Sequence, residues 1–141
     1  MKEIKKILKR VIEKHPKEEV AYYRQLSDPE KDKHHWETMK SRGARLLYEL
    51  LPSEGEEIEP FALGIISLEK AVKNIPDLEW EVEKEEGSIP YYRSIAFRGR
   101  NEEGDYILFS LFPLNSPVGV MLGGVEISMD EFDEIWKDLE D

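Results

Sequence analysis

Residues 89–112 read IPYYRSIAFRGRNEEGDYILFSLF, the stretch around which the other predicted elements are arranged. It predicts two strands that are joined by a tight loop over residues 100–104. In the second strand, residues 106–112, apolar side chains occupy both faces of a period-two pattern, and only Ser110 is small and polar. A strand with two apolar faces is typical of a sheet interior that is covered on both sides. We therefore expect residues 106–112 to form an inner strand, covered by helices of the same chain or by a second copy of the protein.

The first strand of this hairpin contains a cation in an apolar row. Arg93 falls on the same face as Ile95 and Phe97. A buried guanidinium needs an acceptor for its charge and its donors, because an unpaired buried charge strongly destabilises the folded state. Two interpretations follow. Either the strand ends or bulges at Arg93 and the side chain reaches solvent, or Arg93 lies in a cleft and binds an anionic ligand or a partner's carboxylate.

The C-terminal part of the chain predicts further strands and a closing helix. Residues 78–83 alternate apolar residues with glutamates, which is the pattern of a half-exposed strand. A double glycine lies between predicted strands at residues 118–122 and 125–127, where it forms a bulge or a hairpin turn. Residues 128–131 read SMDE, a capping box that predicts the start of a helix.

The N-terminal part predicts helices, because its apolar residues repeat at spacings of three and four. The predicted helices span residues 2–14, 17–26, 29–51 and 60–75. For the last of these, the alternative is a short buried strand over residues 61–66 and a helix that begins at Ser67. We therefore predict a single α+β domain over residues 1–141. It has a helical part of about four helices (1–75) and a sheet-plus-helix part (76–141), with an antiparallel sheet of about four strands and a C-terminal helix.

The composition excludes several classes of site. The chain has 141 residues and no cysteine, which rules out disulfides, iron–sulfur clusters, thiolate zinc sites and cysteine nucleophiles. A charged fraction of 36%, together with few amide side chains, is typical of proteins from organisms that grow at high temperature. The N-terminus lacks the apolar core of a signal peptide, and no apolar run approaches the ~20 residues that cross a bilayer. We expect a cytoplasmic protein that has no membrane partner.

The net charge of −11 is distributed unevenly along the chain. Residues 52–141 carry 22 acidic residues against 7 basic ones, whereas residues 1–51 carry 9 against 13. An acidic half repels nucleic acid and attracts a basic protein partner. The leading functional prediction is a non-enzymatic, acidic protein-interaction module, such as an inhibitor, an immunity-type protein, an adaptor or a chaperone-like module. A homodimer is an additional expectation, because a second copy would cover the second face of the inner strand.

A second functional prediction is a nucleic-acid-associated regulator. Residues 91–100 interleave aromatic and basic side chains, as surfaces that stack bases and bind phosphates do. The predicted binding residues are Tyr92, Arg93, Arg98 and Arg100. The basic helix at residues 2–14 offers another such surface, unless it docks on the acidic half of the same chain. Against this function, the last two arginines can instead pair with carboxylates of the neighbouring strand, namely Glu79, Glu81 or Glu83.

A third functional prediction is a small enzyme with a carboxylate or histidine centre. His34 and His35 are the only histidine pair, but neighbours on a helix point about 100° apart, which does not suit a shared metal. No serine lies in a Gly-x-Ser-x-Gly pattern. Among the many acidic residues, Asp105 at a strand start and Glu126 beside the double glycine are the least arbitrary. We therefore predict no catalytic residue, no metal site and no cofactor.

Overall fold

The structure, a computed structural model, describes residues 3–25, 37–51, 59–86, 93–114 and 123–139. The helices are α1 (Glu3–Lys14), α2 (residues 37–41), α3 (Leu68–Asn74) and α4 (Met129–Asp138). The strands are β1 (Glu19–Gln25), β2 (Arg45–Leu51), β3 (Glu59–Ser67), β4 (Glu79–Glu86), β5 (Arg93–Arg100), β6 (Tyr106–Pro113) and β7 (Gly124–Ile127). No helix in these ranges has both the length and the apolar character that a bilayer crossing requires.

Six strands form an antiparallel sheet in the order β2-β3-β1-β6-β5-β4, and β7 adds to β6 in parallel. β6 lies at the centre. One of its edges pairs with β5 along residues 106–111. The other edge pairs first with β1, at residues 106–108, and then with β7, at residues 110–113. The predicted hairpin is confirmed over residues 93–112, and the predicted inner position of its second strand is confirmed; residues 89–92 of the predicted hairpin lie outside the described residues.

One face of the sheet, the helix-covered face, is apolar and packs against all four helices, α1 to α4. Alternate strand residues point to this face, so that every second side chain is buried. Phe97 and Phe109 lie opposite each other in register, and their rings stack at 4.7 Å. From the strands, this core contains Val20, Tyr22, Ile66, Ile95, Phe97, Ile107, Phe109, Leu111, Val125 and Ile127. From the helices, it contains Ile7, Leu8, Val11, Met39, Leu68, Ala71, Phe132 and Ile135.

The predicted region of about four helices before the sheet is wrong. Residues 19–25, predicted as part of a helix, form β1 inside the sheet, between β3 and β6. The three-residue spacing of Val20 and Tyr23 indicated a helix, but the residues that face the core are Val20 and Tyr22, which are two apart. β1 is stabilised by partners on both edges that lie far away in the sequence, and a local pattern does not reveal them.

The predicted helix over residues 29–51 is also wrong for most of its described length. Residues 37–41 are helical, but residues 45–51 form β2, which pairs with β3. Gly43 separates the two elements. Its φ of +91° and the backbone hydrogen bonds around it close the helix and turn the chain into the strand.

For residues 60–75, the alternative prediction is correct. β3 ends at Ser67, and the Ser67 side chain caps α3 by accepting a hydrogen bond from Lys70 N–H at 3.3 Å. The first helix and the C-terminal helix are confirmed. At the C-terminal helix, Ser128 Oγ accepts from Glu131 N–H at 3.2 Å, as the capping pattern predicted.

Strands from both predicted parts of the chain belong to one sheet. β1, β2 and β3 come from the part predicted as helical, and they pair through β6 with the strands of the C-terminal part. Residues 1–75 are therefore not a separate helical layer. The single domain over residues 1–141 stays a prediction, and the predicted strand at 118–122 lies outside the described residues.

Gly99→Ala is expected to destabilise the fold, because Gly99 lies under the ring of Trp80 on the neighbouring strand. A Cβ atom at Gly99 would lie 2.9 Å from the Trp80 ring, too close for two carbon atoms unless one of them moves. We expect the free energy of unfolding, measured by urea denaturation, to fall by about 1–3 kcal/mol. Val72→Ala, at an exposed position of α3, is the control and should change it by less than about 0.5 kcal/mol. Equal stability of G99A and the wild type would contradict the contact between glycine and indole.

Candidate functional site

Asp105 is a fully buried carboxylate in the loop between β5 and β6. Its Oδ1 accepts hydrogen bonds from the Tyr22 hydroxyl and from Arg24 Nη1, the latter at 2.7 Å. Its Oδ2 accepts from Arg42 Nη1 and, at 3.0 Å, from Asn101 Nδ2. A carboxylate has about four lone pairs, so these four donors saturate it. We refer to these five residues as the Asp105 cluster.

Three separate segments bring the Asp105 cluster together. Tyr22 and Arg24 are two apart on β1 and therefore point to the same face of the sheet. Arg42 directly precedes the glycine that closes α2. Asn101 begins the β5–β6 loop, where its Oδ1 accepts a hydrogen bond from Asp105 N–H at 3.0 Å. The cluster thus connects β1, the end of α2 and the loop of the central hairpin.

Protonation states in the Asp105 cluster are fixed at neutral pH. Burial by itself raises the pKa of Asp105, but its hydrogen bonds, first that from Tyr22, outweigh burial and hold this pKa below its usual value. Burial, followed by the hydrogen bond to Asp105, raises the pKa of Tyr22 to about 12. Burial lowers the pKa of Arg42, but hydrogen bonds to Glu103 and Asp105 raise it further than burial lowers it. Since a general acid or base needs a pKa near the working pH, the cluster is suited to holding the chain rather than to proton transfer.

The structure separates the predicted binding residues. Tyr92 lies outside the described residues. Arg93 points to the helix-covered face at the start of β5, where its Nη2 contacts Asp133 of α4 at 2.9 Å. Its guanidinium carbon lies 5.0 Å from the ring centroid of Phe132 and 5.3 Å from that of Trp136. Arg93 therefore pairs with a carboxylate of its own chain, and 28% of its side chain is exposed at the end of the strand.

Arg98 and Arg100 lie on the opposite face of the sheet and pair with glutamates of β4. Arg98 Nη1 contacts Glu83 at 2.9 Å, and Arg100 Nη2 contacts Glu81 at 3.3 Å. The register sets Arg98 opposite Glu81, so both pairs are diagonal neighbours on one face. The predicted pairing with the neighbouring strand is confirmed. These two arginines lie together, but Arg93 is on the other side of the sheet, so the three do not form one site.

β4 lies at one end of the sheet and, within the described part of the chain, pairs only with β5. It reads EWEVEKEE, with five glutamates in eight residues. Glu79, Glu81 and Glu83 are exposed on the face opposite the helices. Trp80 and Val82 are half-buried on the helix-covered face. A groove of about 410 Å³ along this edge is lined by Ile4, Trp80, Glu81, Val82, Glu83 and Arg98.

An acidic cleft adjoins the start of β4. It has a volume of about 550 Å³ and is lined by Pro76, Asp77, Glu79, Arg100, Asn101, Glu102 and Glu103. Asn101 Nδ2 donates to Pro76 O at 2.9 Å as well as to Asp105, so the Asp105 cluster positions one wall of this cleft. In the five described ranges, no three His, Asp or Glu side chains are arranged to hold a metal ion. The carboxylates along this side, here named the acidic edge, are Asp77, Glu79, Glu81, Glu83, Glu102 and Glu103.

The sequence pattern singled out Asp105 but not its partners. Tyr22, Arg24 and Arg42 lie in segments that were predicted as helices, and helices there would not have brought the three side chains to Asp105. One local signal was present. Alternation along EVAYYRQ, residues 19–25, places Tyr22 and Arg24 on the same face as buried Val20.

Asp105→Asn is expected to lower the free energy of unfolding by about 3–5 kcal/mol, because it leaves the guanidinium groups of Arg24 and Arg42 without their buried anion. Urea denaturation at neutral pH measures the loss. Glu103→Gln is the matched control: Glu103 also pairs with Arg42, at 2.8 Å, but 55% of its side chain is exposed. The free energy of unfolding of this variant should fall by less than about 1 kcal/mol. Similar losses for the two variants would contradict a dominant role for the buried carboxylate.

Tyr22 should make the fold lose stability between pH 10 and pH 12. Its pKa rises from 10.0 to about 12 on folding, so its contribution is complete below pH 10 and is lost as the pH rises through 12. This rise in the pKa of Tyr22 corresponds to about 2–3 kcal/mol of unfolding free energy. Urea denaturation of the wild type and of Tyr22→Phe across this range measures the effect, since the other titrating groups are common to both. As the pH rises from 10 to 12, the wild type should lose that amount of unfolding free energy relative to the Tyr22→Phe variant. A difference between the two proteins that stays constant with pH would contradict a neutral, buried tyrosine.

Comparison with protein-family models, with curated proteins and with solved structures found no match. Function is therefore inferred from the Asp105 cluster, the edge groove and the acidic edge themselves.

Proposed function

We propose that the protein is a non-enzymatic interaction module that binds a basic protein partner through the acidic edge. The observation that carries this proposal is the position of β4, whose exposed glutamates Glu79, Glu81 and Glu83 line an end of the sheet. An inhibitor, an immunity-type protein, an adaptor and a chaperone-like module are the roles that such a surface fits. The cytoplasmic location predicted from the sequence is part of this proposal.

The acidic edge carries more negative charge than its own arginines neutralise. Glu81 and Glu83 each pair with an arginine of β5. Asp77, Glu79 and Glu102 have no ion-pair partner among the described residues, and all three are exposed. Carboxylates gathered at one side of a protein attract a basic partner over a distance of about 8–10 Å at moderate ionic strength.

The contacts of the basic residues favour a protein partner over nucleic acid. Arg98 and Arg100 are already paired with glutamates, on the same side as the acidic edge, where a polyanion would be repelled. On α1, Arg10 contacts α4 carboxylates, Asp138 at 3.5 Å and Glu134 at 4.0 Å. Part of the basic helix thus docks on the acidic half of its own chain, which was the alternative to nucleic-acid binding.

The saturated carboxylate of Asp105 supports a non-enzymatic role. Every one of its lone pairs accepts a hydrogen bond from the protein, so a substrate proton or a metal would have to displace one of these donors. The other acidic residue that the sequence singled out, Glu126, is exposed on β7. His34 and His35 lie outside the described residues.

Affinity capture from a lysate of the native host, with and without nuclease, tests the proposed function. Wild-type protein is expected to retain a stoichiometric protein partner that survives nuclease and elutes with salt. Glu79→Lys combined with Glu102→Lys should lose this partner, because two exposed carboxylates of the acidic edge are reversed.

The matched control for this capture is Glu13→Lys combined with Glu126→Lys. It makes the same change in net charge at exposed positions of α1 and β7, away from the acidic edge, and should retain the partner. Capture that disappears with nuclease would replace the proposed function by nucleic-acid binding. Equal capture by the two double variants would show that net charge, rather than the acidic edge, attracts the partner.

A further inference from the structure

We propose that the basic partner binds as an extended segment that adds a strand to β4, with side chains that alternate between lysine or arginine and apolar residues. This inference rests on the proposed function and specifies the partner of the same surface. It combines three observations: the position of β4 in the sheet, the groove beside it, and the different chemistry of its two faces.

The first observation is that β4 offers a backbone edge. Within the described part of the chain it pairs with β5 alone, so its second row of N–H and C=O groups faces away from the sheet. The strand is eight residues long, and all eight pair with β5 in an unbroken register. An ordered edge of this kind is the surface to which extended peptides add in β-augmentation.

The second observation is the groove at the edge. Ile4 of α1 lies beside Trp80 and Val82, which are half-buried on the helix-covered face. Trp80 is held in place by Gly99 beneath its ring and by an edge-to-face contact with Phe109 at 5.9 Å. The apolar side of the groove is therefore formed before any partner arrives.

The third observation is that the other face of the same edge is acidic. Glu79, Glu81 and Glu83 stand at every second position of β4 and point away from the helices. Successive side chains of an added strand also alternate between the two faces. Its apolar residues would then contact Trp80 and Val82, and the residues between them would meet the glutamates. This pairing of faces dictates the alternation of basic and apolar residues in the partner.

A second copy of the protein does not suit this edge. Antiparallel pairing of two β4 strands would place glutamates opposite glutamates, and like charges in direct cross-strand positions are destabilising. The other end of the sheet, β2, reads RLLYELL and has one basic and one acidic residue, so it provides no charge selection. β4 is the edge whose charge selects a basic segment.

Two synthetic peptides of identical composition test strand addition. One alternates lysine and valine over eight residues, the length of β4, and the other places four lysines before four valines. Isothermal titration calorimetry at low ionic strength should give an affinity for the alternating peptide that is at least about tenfold higher. Hydrogen exchange should show that the alternating peptide protects amides of β4 and leaves those of β7 unchanged.

Variants locate the binding and separate its two faces. Glu79→Lys should lower the affinity for the alternating peptide several-fold, because it reverses a charge on the acidic face. Val82→Thr should also lower this affinity without any change of charge, because it adds a hydroxyl on the apolar side at nearly constant volume. Glu126→Lys, which makes the same charge change on β7, is the control and should bind like the wild type. Circular dichroism spectra check that each variant remains folded.

The outcomes distinguish strand addition from the proposed function. If the two peptides bind equally and β4 gains no protection, strand addition is overturned while charge-driven binding to the acidic edge stands. If neither peptide binds, strand addition is again overturned, and the capture experiment decides the proposed function independently. Preference for the alternating peptide, loss in Glu79→Lys and protection confined to β4 would together support the inference.

Discussion

The buried carboxylate of Asp105 holds the arrangement on which the acidic edge depends. Removing a carboxylate and two guanidinium groups from most of their water is costly, and the ion pairs offset that cost because every lone pair of Asp105 is used. The ion pairs and hydrogen bonds of Asp105 mainly fix the positions of the segments that they join. Arg42 contacts both Asp105 and Glu103, and Asn101 bonds to both Asp105 and Pro76. The loop of the central hairpin and the approach to β4 are thereby fixed relative to β1.

The exposed ion pairs on β4 and β5 have a different effect. The side chains of both pairs, Arg98 with Glu83 and Arg100 with Glu81, are partly accessible to water, so each pair contributes at most about 1 kcal/mol. Their main effect is on the distribution of charge. They neutralise Arg98 and Arg100 of β5 and leave Glu79 without an ion-pair partner among the described residues. In the strand addition that we propose, the same glutamates would disfavour pairing with a second β4 and would favour a basic segment. One charge pattern would then provide both the repulsive and the attractive part of specificity.

Local patterns predicted the elements whose pattern has a single period. α1, β4 and α4 each show one clear spacing and were predicted correctly, and the second strand of the central hairpin was predicted from its continuous apolar run. β1 and β2 contain apolar residues that satisfy both helical and strand spacings, and their partners decide the outcome: Tyr22 pairs with Ile107, far along the chain. The ion pairs of Arg98 and Arg100 could be predicted because β4 and β5 are neighbours in sequence. The Asp105 cluster could not, because its members lie on segments whose meeting depends on the whole sheet.

Preorganisation of β4 would lower the entropic cost of the strand addition that we propose. All eight of its residues pair with β5, and the Trp80 ring is fixed between Gly99 and Phe109. A partner segment must lose its own conformational freedom on binding, but the edge that receives it has little left to lose. In the proposed complex, the glutamates would steer the encounter and the apolar side of the groove would supply contact area, so the two faces of β4 would act on different stages of association.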